Sequence, residues 1–249
     1  MSRRDLVRFV VLAAPRTGSN WLCTLLDSHP DILCHHEIFN PEGLHYSLSY
    51  RQDELDLGTK EQRDKDPWRV LGGLWQETFG HPAVGFKWSR GQDARVLNSV
   101  LEDREIRKIV VRRNNRIKTF VSETIARKTG EWESYPGRKI SQQGRQIEVG
   151  EKALRQHIAL NRRLYAAIDE ALASSGQSAL TVTYEKLASD VERLRATDFL
   201  GVSPQAESLK EATRKQNPKD LRQLVANFEQ LASDLRGTDL EAELHDRGI

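Results

Sequence analysis

The residues Arg16-Thr17-Gly18-Ser19-Asn20 combine a cation, three hydrogen-bonding side chains and a glycine in one short stretch, a set suited to holding an anion. What precedes and follows them suits it too. Phe9 to Ala14 is an apolar run that reads as a buried strand. Pro15 cannot continue a sheet ladder, and Gly18 permits a tight turn. Trp21, Leu22, Leu25 and Leu26 then recur at helical spacing. A strand, a short loop and a helix N-terminus make a phosphate cradle, because the loop amides converge on the anion and the helix dipole favours negative charge. A turn without a ligand is the alternative. The nucleoside-triphosphatase loop, G-x-x-x-x-G-K-[ST], is absent. Ala13 stands at its first glycine and Ser19 at its lysine, and the cation precedes the glycine, at Arg16.

Two further groups fall at expected strand ends, where the ligand crevice of a parallel α/β sheet lies. Ile32-Leu33-Cys34 reads as a second strand, followed by His35-His36-Glu37. Metal-ligating pairs on one helix face are spaced i, i+4 and need further ligands, which are not evident, so no metal site is expected. A general base fits better. Lys108 to Val111 reads as another strand that ends in Arg112-Arg113, before a helix from about Arg116 to Lys128 that carries Ser122. The forked donors of arginine suit a second phosphate. Between these, Ala83 to Trp88 reads as a strand whose Lys87 needs an anionic partner if it is interior.

The elements that position these groups alternate strand and helix along 249 residues with no dividing linker, which predicts one α/β domain over 1–249, a mostly parallel sheet flanked by helices. Residues 43–80 read as an insertion over the sheet edge, whose Trp68 and Trp75 either line a cleft or anchor the segment. Residues 131–150 read as a long mobile loop over the acceptor. Helices are expected at 151–174, 185–200 and 220–235, and a last strand at 179–184. The 38 basic and 36 acidic residues give a net charge of +2, which does not mark a nucleic-acid binder. Cys23 and Cys34 make no disulfide framework or zinc site. With no signal peptide or long apolar segment, the expectation is a cytoplasmic protein without a transmembrane span.

The loop P-[RK]-[ST]-G-[ST]-x-W-L after a first strand resembles the 5′-phosphosulfate loop of sulfotransferases that use 3′-phosphoadenosine-5′-phosphosulfate (PAPS). Three more segments match that family in order. Val110-Val111-Arg112-Arg113-Asn114, with Ser122 and Ala126 to Trp132, is similar to its 3′-phosphate segment. Val182 to Asp190, with Phe199-Leu200-Gly201, is similar to its Y-E-x-L…F-L-G segment. Arg214 to Pro218, with Val225 to Leu231, resembles the C-terminal cofactor loop of its bacterial carbohydrate branch, which includes Nod-factor and trehalose sulfotransferases.

The resemblance implies a P-loop-type sulfotransferase fold and sulfuryl transfer from PAPS to a hydroxyl acceptor, a carbohydrate or glycolipid, with PAP as product and no metal. Arg16, Thr17, Gly18, Ser19 and Asn20, with Trp21 beside them, would hold the 5′-phosphosulfate. Arg113 and Ser122 would hold the 3′-phosphate, with Arg112 as the alternative, although the Arg113–Ser122 spacing is one residue longer than the common pattern. Tyr184 would lie near the adenine, and Lys215 and Gln216 would close over the nucleotide. Lys87 falls on the lysine of a K-T-H motif whose histidine, the usual base, is here Ser89. Glu37 matches the glutamate that serves as base in the carbohydrate branch. The implied partners are the nucleotide cosubstrate and the acceptor, with homo-oligomerisation left open. A P-loop kinase with a degenerate loop and a non-catalytic nucleotide-binding protein are the competing classes.

Overall fold

In a computed structural model, which describes residues 6–49, 55–133, 144–203, 209 and 217–246, five parallel strands form the sheet β2-β3-β1-β4-β5. Their ranges are β1 Val7–Ala13, β2 Ile32–His35, β3 Ala83–Ser89, β4 Ile106–Arg112 and β5 Ala179–Thr183. The helices are α1 Ser19–Asp27, α2 Lys60–Lys65, α3 Pro67–Gln76, α4 Ala94–Glu102, α5 Arg116–Thr129, α6 Glu151–Ser174, α7 Asp190–Phe199, α8 Phe228–Asp234 and α9 Glu241–His245. Parallel order with helical crossovers buries both faces of the sheet. Successive side chains of β1 therefore enter opposite cores. Phe9, Val11 and Ala13 meet Leu22, Cys23 and Leu26 of α1 and Ala196 of α7, whereas Val10 and Leu12 meet α3, α4 and α6 through Leu74, Val96 and Ile168. A third core joins α5 to α8 and α9 through Val121, Leu231 and Leu244.

The register aligns the functional strand ends. Val11 lies opposite Lys87 and Ile109, Ala13 opposite Ser89 and Val111, and Arg112 opposite Thr183. The end of β2 joins the same edge because the Lys87 amide donates to the carbonyl of His36 at 3.0 Å. Tyr165 of α6 ties the central ends together. Its hydroxyl accepts from the Ala14 amide at 3.0 Å and donates to the Val111 carbonyl at 2.7 Å.

Several expectations are corrected. The helix expected over 185–200 opens with a 3₁₀ turn, Tyr184–Lys186, and α7 begins only at Asp190. The cause is long-range: the Glu185 carboxylate accepts the amides of Asn114 and Asn115, which pulls that turn towards the start of α5. The helix expected over 220–235 is likewise broken. The amide of Ala226 donates to Ile147, and Asn227 bonds both ways with Val149, so α8 starts at Phe228. That pairing also anchors the far end of the loop expected over 131–150, where Arg145 is buried against Asn217. In the 43–80 segment Trp75 packs on Phe86 with ring centroids 5.8 Å apart, and Trp68 is exposed at the start of α3, so neither lines the crevice. Arg63 staples the segment down, donating to the carbonyls of Ile38 and Gly43, each at 2.8 Å. Among the described residues no helix is long and apolar enough to cross a membrane.

Candidate active site

The carboxyl ends of β1 to β4 open into a cavity of about 670 Å³, a size that encloses small-molecule ligands. The loop between β1 and α1 forms its floor. Arg16 has φ 65° and Gly18 φ 90°, both left-handed, and strain of this kind gathers at binding sites. Gly18 is required twice over: a Cβ there would sit 2.4 Å from Cδ2 of Tyr184. As the N-cap of α1 it contributes no side-chain bond. The first-turn amides of α1 thus face the cavity without a capping side chain, and helix starts of this kind suit anions. Thr17 turns the other way, its hydroxyl donating to the Ala14 carbonyl at 2.8 Å, and it holds the loop rather than lining the cavity.

Beside the loop two guanidiniums meet. Nε of Arg16 donates to Oγ of Ser122 at 2.9 Å, and Nη1 of Arg113 donates to the Arg16 carbonyl at 3.1 Å. Arg113 also lies over the Tyr184 ring, 4.3 Å from its centroid, and its buried Nε has no hydrogen-bond partner among the described residues. Burial, then the neighbouring Arg113, lowers Arg16 to about 10, and burial lowers Arg113 as well. Two partly buried guanidiniums side by side make a setting that favours an anion. Between Arg113 and Ser122, Asn115 caps α5 by accepting from the Lys118 amide at 2.8 Å, and Ser122 reaches Arg16. Lys118, one turn earlier on α5, lines the same wall. The sequence reading missed it, although i, i+4 spacing from Ser122 is a usable signal.

The β2 and β3 side carries the opposite chemistry. Nζ of Lys87, only 2% exposed, pairs with Oε1 of Glu37 at 2.7 Å and donates to Oδ1 of Asn20. Asn20 in turn donates to Glu133 at 2.6 Å, and Nδ1 of His36 lies 3.6 Å from the same carboxylate. Glu37 also accepts from Asn40. Burial raises the pKa of Glu37, but the Lys87 ammonium with the Lys87 and Asn40 hydrogen bonds outweighs it and holds Glu37 below its ordinary value. His35 is different: burial, with His36 and His81 nearby, lowers it to about 3, so its ring stays neutral. Its Nδ1 accepts from the Ser47 amide at 3.2 Å. Trp132, whose carbonyl accepts from Arg16, and Glu133 complete the wall, and the sequence alone did not single them out as site residues.

Arg16, Gly18, Ser19, Asn20, Trp21, Glu37, Lys87, Arg113, Ser122 and Tyr184 therefore line one cavity. Arg112 does not. It is bound at 2.6 and 2.8 Å to the two oxygens of Asp169 and lies over Tyr165, on the α6 face. Period-two alternation explains the separation: Arg112 shares the face of Val110, Arg113 that of Val111. Lys215 and Gln216 lie outside the described residues, although Asn217 and Lys219 line the cavity. Among the described residues no group of three or more His, Cys, Asp or Glu is placed to hold a metal ion.

No protein-family model matches the chain, and no curated protein sequence matches it. Among solved structures the chain is similar to the sulfotransferase domain from the olefin synthase of Synechococcus PCC 7002, at 15% identity and TM-score 0.42, covering 84% of this chain and 78% of that one. It is similar to a sulfotransferase from Alicyclobacillus acidocaldarius at 17% identity and TM-score 0.45, with 96% of each chain covered. It is also similar to the mouse sulfotransferase SULT7A1 complexed with PAP, at 13% identity and TM-score 0.41, covering 98% of this chain and 89% of that one.

Proposed function

We propose that this protein transfers a sulfuryl group from PAPS to a hydroxyl of a carbohydrate or glycolipid acceptor. The observation that carries the reading is the convergence of Arg16, Arg113 and Ser122 beside the uncapped start of α1, with Lys87 and Glu37 on the other side of the same loop. Two of the four sequence segments that resemble the family contribute Arg16, Arg113 and Ser122, and Glu37 and Lys87 come from the ends of β2 and β3.

In this account the amides of Ser19 and Asn20, with Arg16, hold the 5′-phosphosulfate, and Arg113 and Ser122 hold the 3′-phosphate against Tyr184. The acceptor oxygen attacks sulfur in line as the bond from sulfur to the phosphate oxygen breaks. The leaving oxygen takes the bonding electrons, and the acceptor's proton passes to the Glu37 carboxylate. By analogy with phosphoryl transfer, catalysis here is positioning and charge stabilisation. Arg16 stays protonated at neutral pH at a value of about 10 and can meet the charge on the leaving oxygen. Lys87 has two tasks, orienting Glu37 and supplying positive charge between donor and acceptor. Its link to Asn20 couples the base to the phosphate loop.

The test is turnover of labelled PAPS in EDTA against mono- and oligosaccharides, glycolipids and phenols. Label is expected in a carbohydrate product. No transfer to any acceptor, together with magnesium-dependent ATP turnover, would overturn the proposal in favour of a kinase.

A further inference from the structure

The mechanism above leaves one charged cluster at the cavity unused. Glu123 of α5 is buried, and its carboxylate gathers two arginines that line the cavity, Arg90 and Arg127. Nη2 of Arg90, in the loop after β3, donates to both oxygens of Glu123 at 2.9 and 3.0 Å. Arg127, one turn further along α5, donates to Oε1 through Nε at 3.2 Å and through Nη2 at 2.7 Å. Sharing one carboxylate puts the two guanidiniums side by side. It does not use them up. Nη1 of each makes no bond to the described residues, and the two side chains keep 21% and 64% of their surface accessible. His157 of α6 is a further neighbour, its Nδ1 3.7 Å from Oε2 of Glu123, and burial lowers its pKa, so its ring is neutral at neutral pH. Two guanidiniums and one carboxylate therefore leave a net charge of +1. Glu131 and Glu133, the next carboxylates along the chain, are engaged by Arg145 and Asn20.

We infer that Arg90 and Arg127 form an acceptor subsite for a monoanionic group, the carboxylate of an acidic sugar or a sulfate ester already on the glycan. The inference rests on the sulfuryl-transfer reading for placing the reacting hydroxyl at Lys87 and Glu37. Arg90 follows Lys87 by three residues, so their Cα atoms are at most about 11 Å apart, and its amide is fixed to the Ala13 carbonyl at 3.0 Å. Guanidinium N–H groups match the paired oxygens of a carboxylate or sulfate in a way that a neutral hydroxyl cannot equal. Glu123 supplies the positioning, because an arginine already held in place loses less rotamer freedom when it binds. The net charge of +1 suits a single negative charge. A neutral glycan or a phenol would leave that charge unmatched.

The experiment measures binding of methyl glucoside, methyl glucuronide and methyl glucoside 6-sulfate by saturation-transfer NMR, with PAP added to fill the nucleotide site. It compares the wild type with Arg90→Gln and Arg127→Gln, and it records PAP affinity and melting temperature for each. The glucuronide or the 6-sulfate should bind the wild type at least about tenfold more tightly than the neutral glucoside, and whichever does identifies the anion. Each substitution should weaken that ligand about 10- to 100-fold, the range of one or two charge-assisted hydrogen bonds, and change PAP less than about threefold. Arg127 is largely exposed, so Arg127→Gln tests the subsite without endangering the fold. Equal affinity for all three glycosides, no binding of any, anion binding unchanged in Arg127→Gln, or a loss of PAP affinity as large as that of the anionic glycoside would overturn the inference. Anion-selective binding that depends on Arg90 and Arg127 in a protein that does not bind PAP would support the subsite and refute the nucleotide reading.

Discussion

Glu37→Gln is expected to lower turnover about 10²- to 10⁴-fold, the usual cost of removing a general base, while PAP affinity stays within a few fold. Glutamine keeps the shape and an oxygen for Lys87 and Asn40 but cannot take a proton. The ion pair with Lys87, at 2.7 Å, raises the competing explanation that Glu37 only neutralises a buried lysine. Breaking a fully buried pair costs about 3–5 kcal/mol, and Glu37 keeps some solvent access, so a smaller loss of stability accompanies the change under either explanation. Turnover per folded molecule separates them. The pH profile is a second discriminant. Because Glu37 is held below its ordinary 4.5, it is ionised above that pH, and the acid limb of kcat/KM should fall below 4.5. The stability that its depressed pKa contributes is present above the unfolded value and lost as pH falls through the folded one. An acid limb near the 6.5 of an ordinary imidazole, abolished in His36→Ala, would make His36 the base.

Arg113→Ala is expected to weaken PAP about 10- to 100-fold, the range of a buried charge-assisted hydrogen bond or two, and adenosine 5′-phosphate by less than about threefold. The guanidinium lies over Tyr184 and donates to the Arg16 carbonyl, and its Nε has no hydrogen-bond partner among the described residues. Only PAP carries the 3′-phosphate that would meet it. Calorimetry with both nucleotides checks this. Equal losses would mean that Arg113 serves the loop, through its bond to the Arg16 carbonyl, rather than the 3′-phosphate. Arg112→Ala should leave both affinities unchanged, because that side chain is committed to Asp169.

What was legible in the sequence follows from the range of the forces involved. The strand, loop and helix of 7–27 and the long helix Glu151–Ser174 are dictated locally, by apolar periodicity and by breakers such as Pro15 and Gly176. The splits at 187–189 and 224–227 were not legible, because bonds from Glu185 to Asn114 and from Asn227 to Val149 cross more than 70 residues. The site divides the same way. Arg16, Lys87 and Arg113 stand out because cations at the ends of apolar strands are unusual in type and place. Glu133, Arg127 and Lys118 are ordinary residues for loops and helix surfaces, and only the folded chain brings them to one cavity. Arg112 could have been set aside from sequence alone, since alternation along β4 sends it to the face opposite Arg113.

The central claim is that this cavity is built for a nucleotide with phosphates at both the 3′ and 5′ positions. Titration calorimetry of the purified protein with PAP in EDTA tests it most directly. The account predicts metal-free binding of PAP that is at least about tenfold tighter than that of adenosine 5′-phosphate. Absence of PAP binding, binding that appears only with magnesium, or equal affinity for the two nucleotides would contradict it.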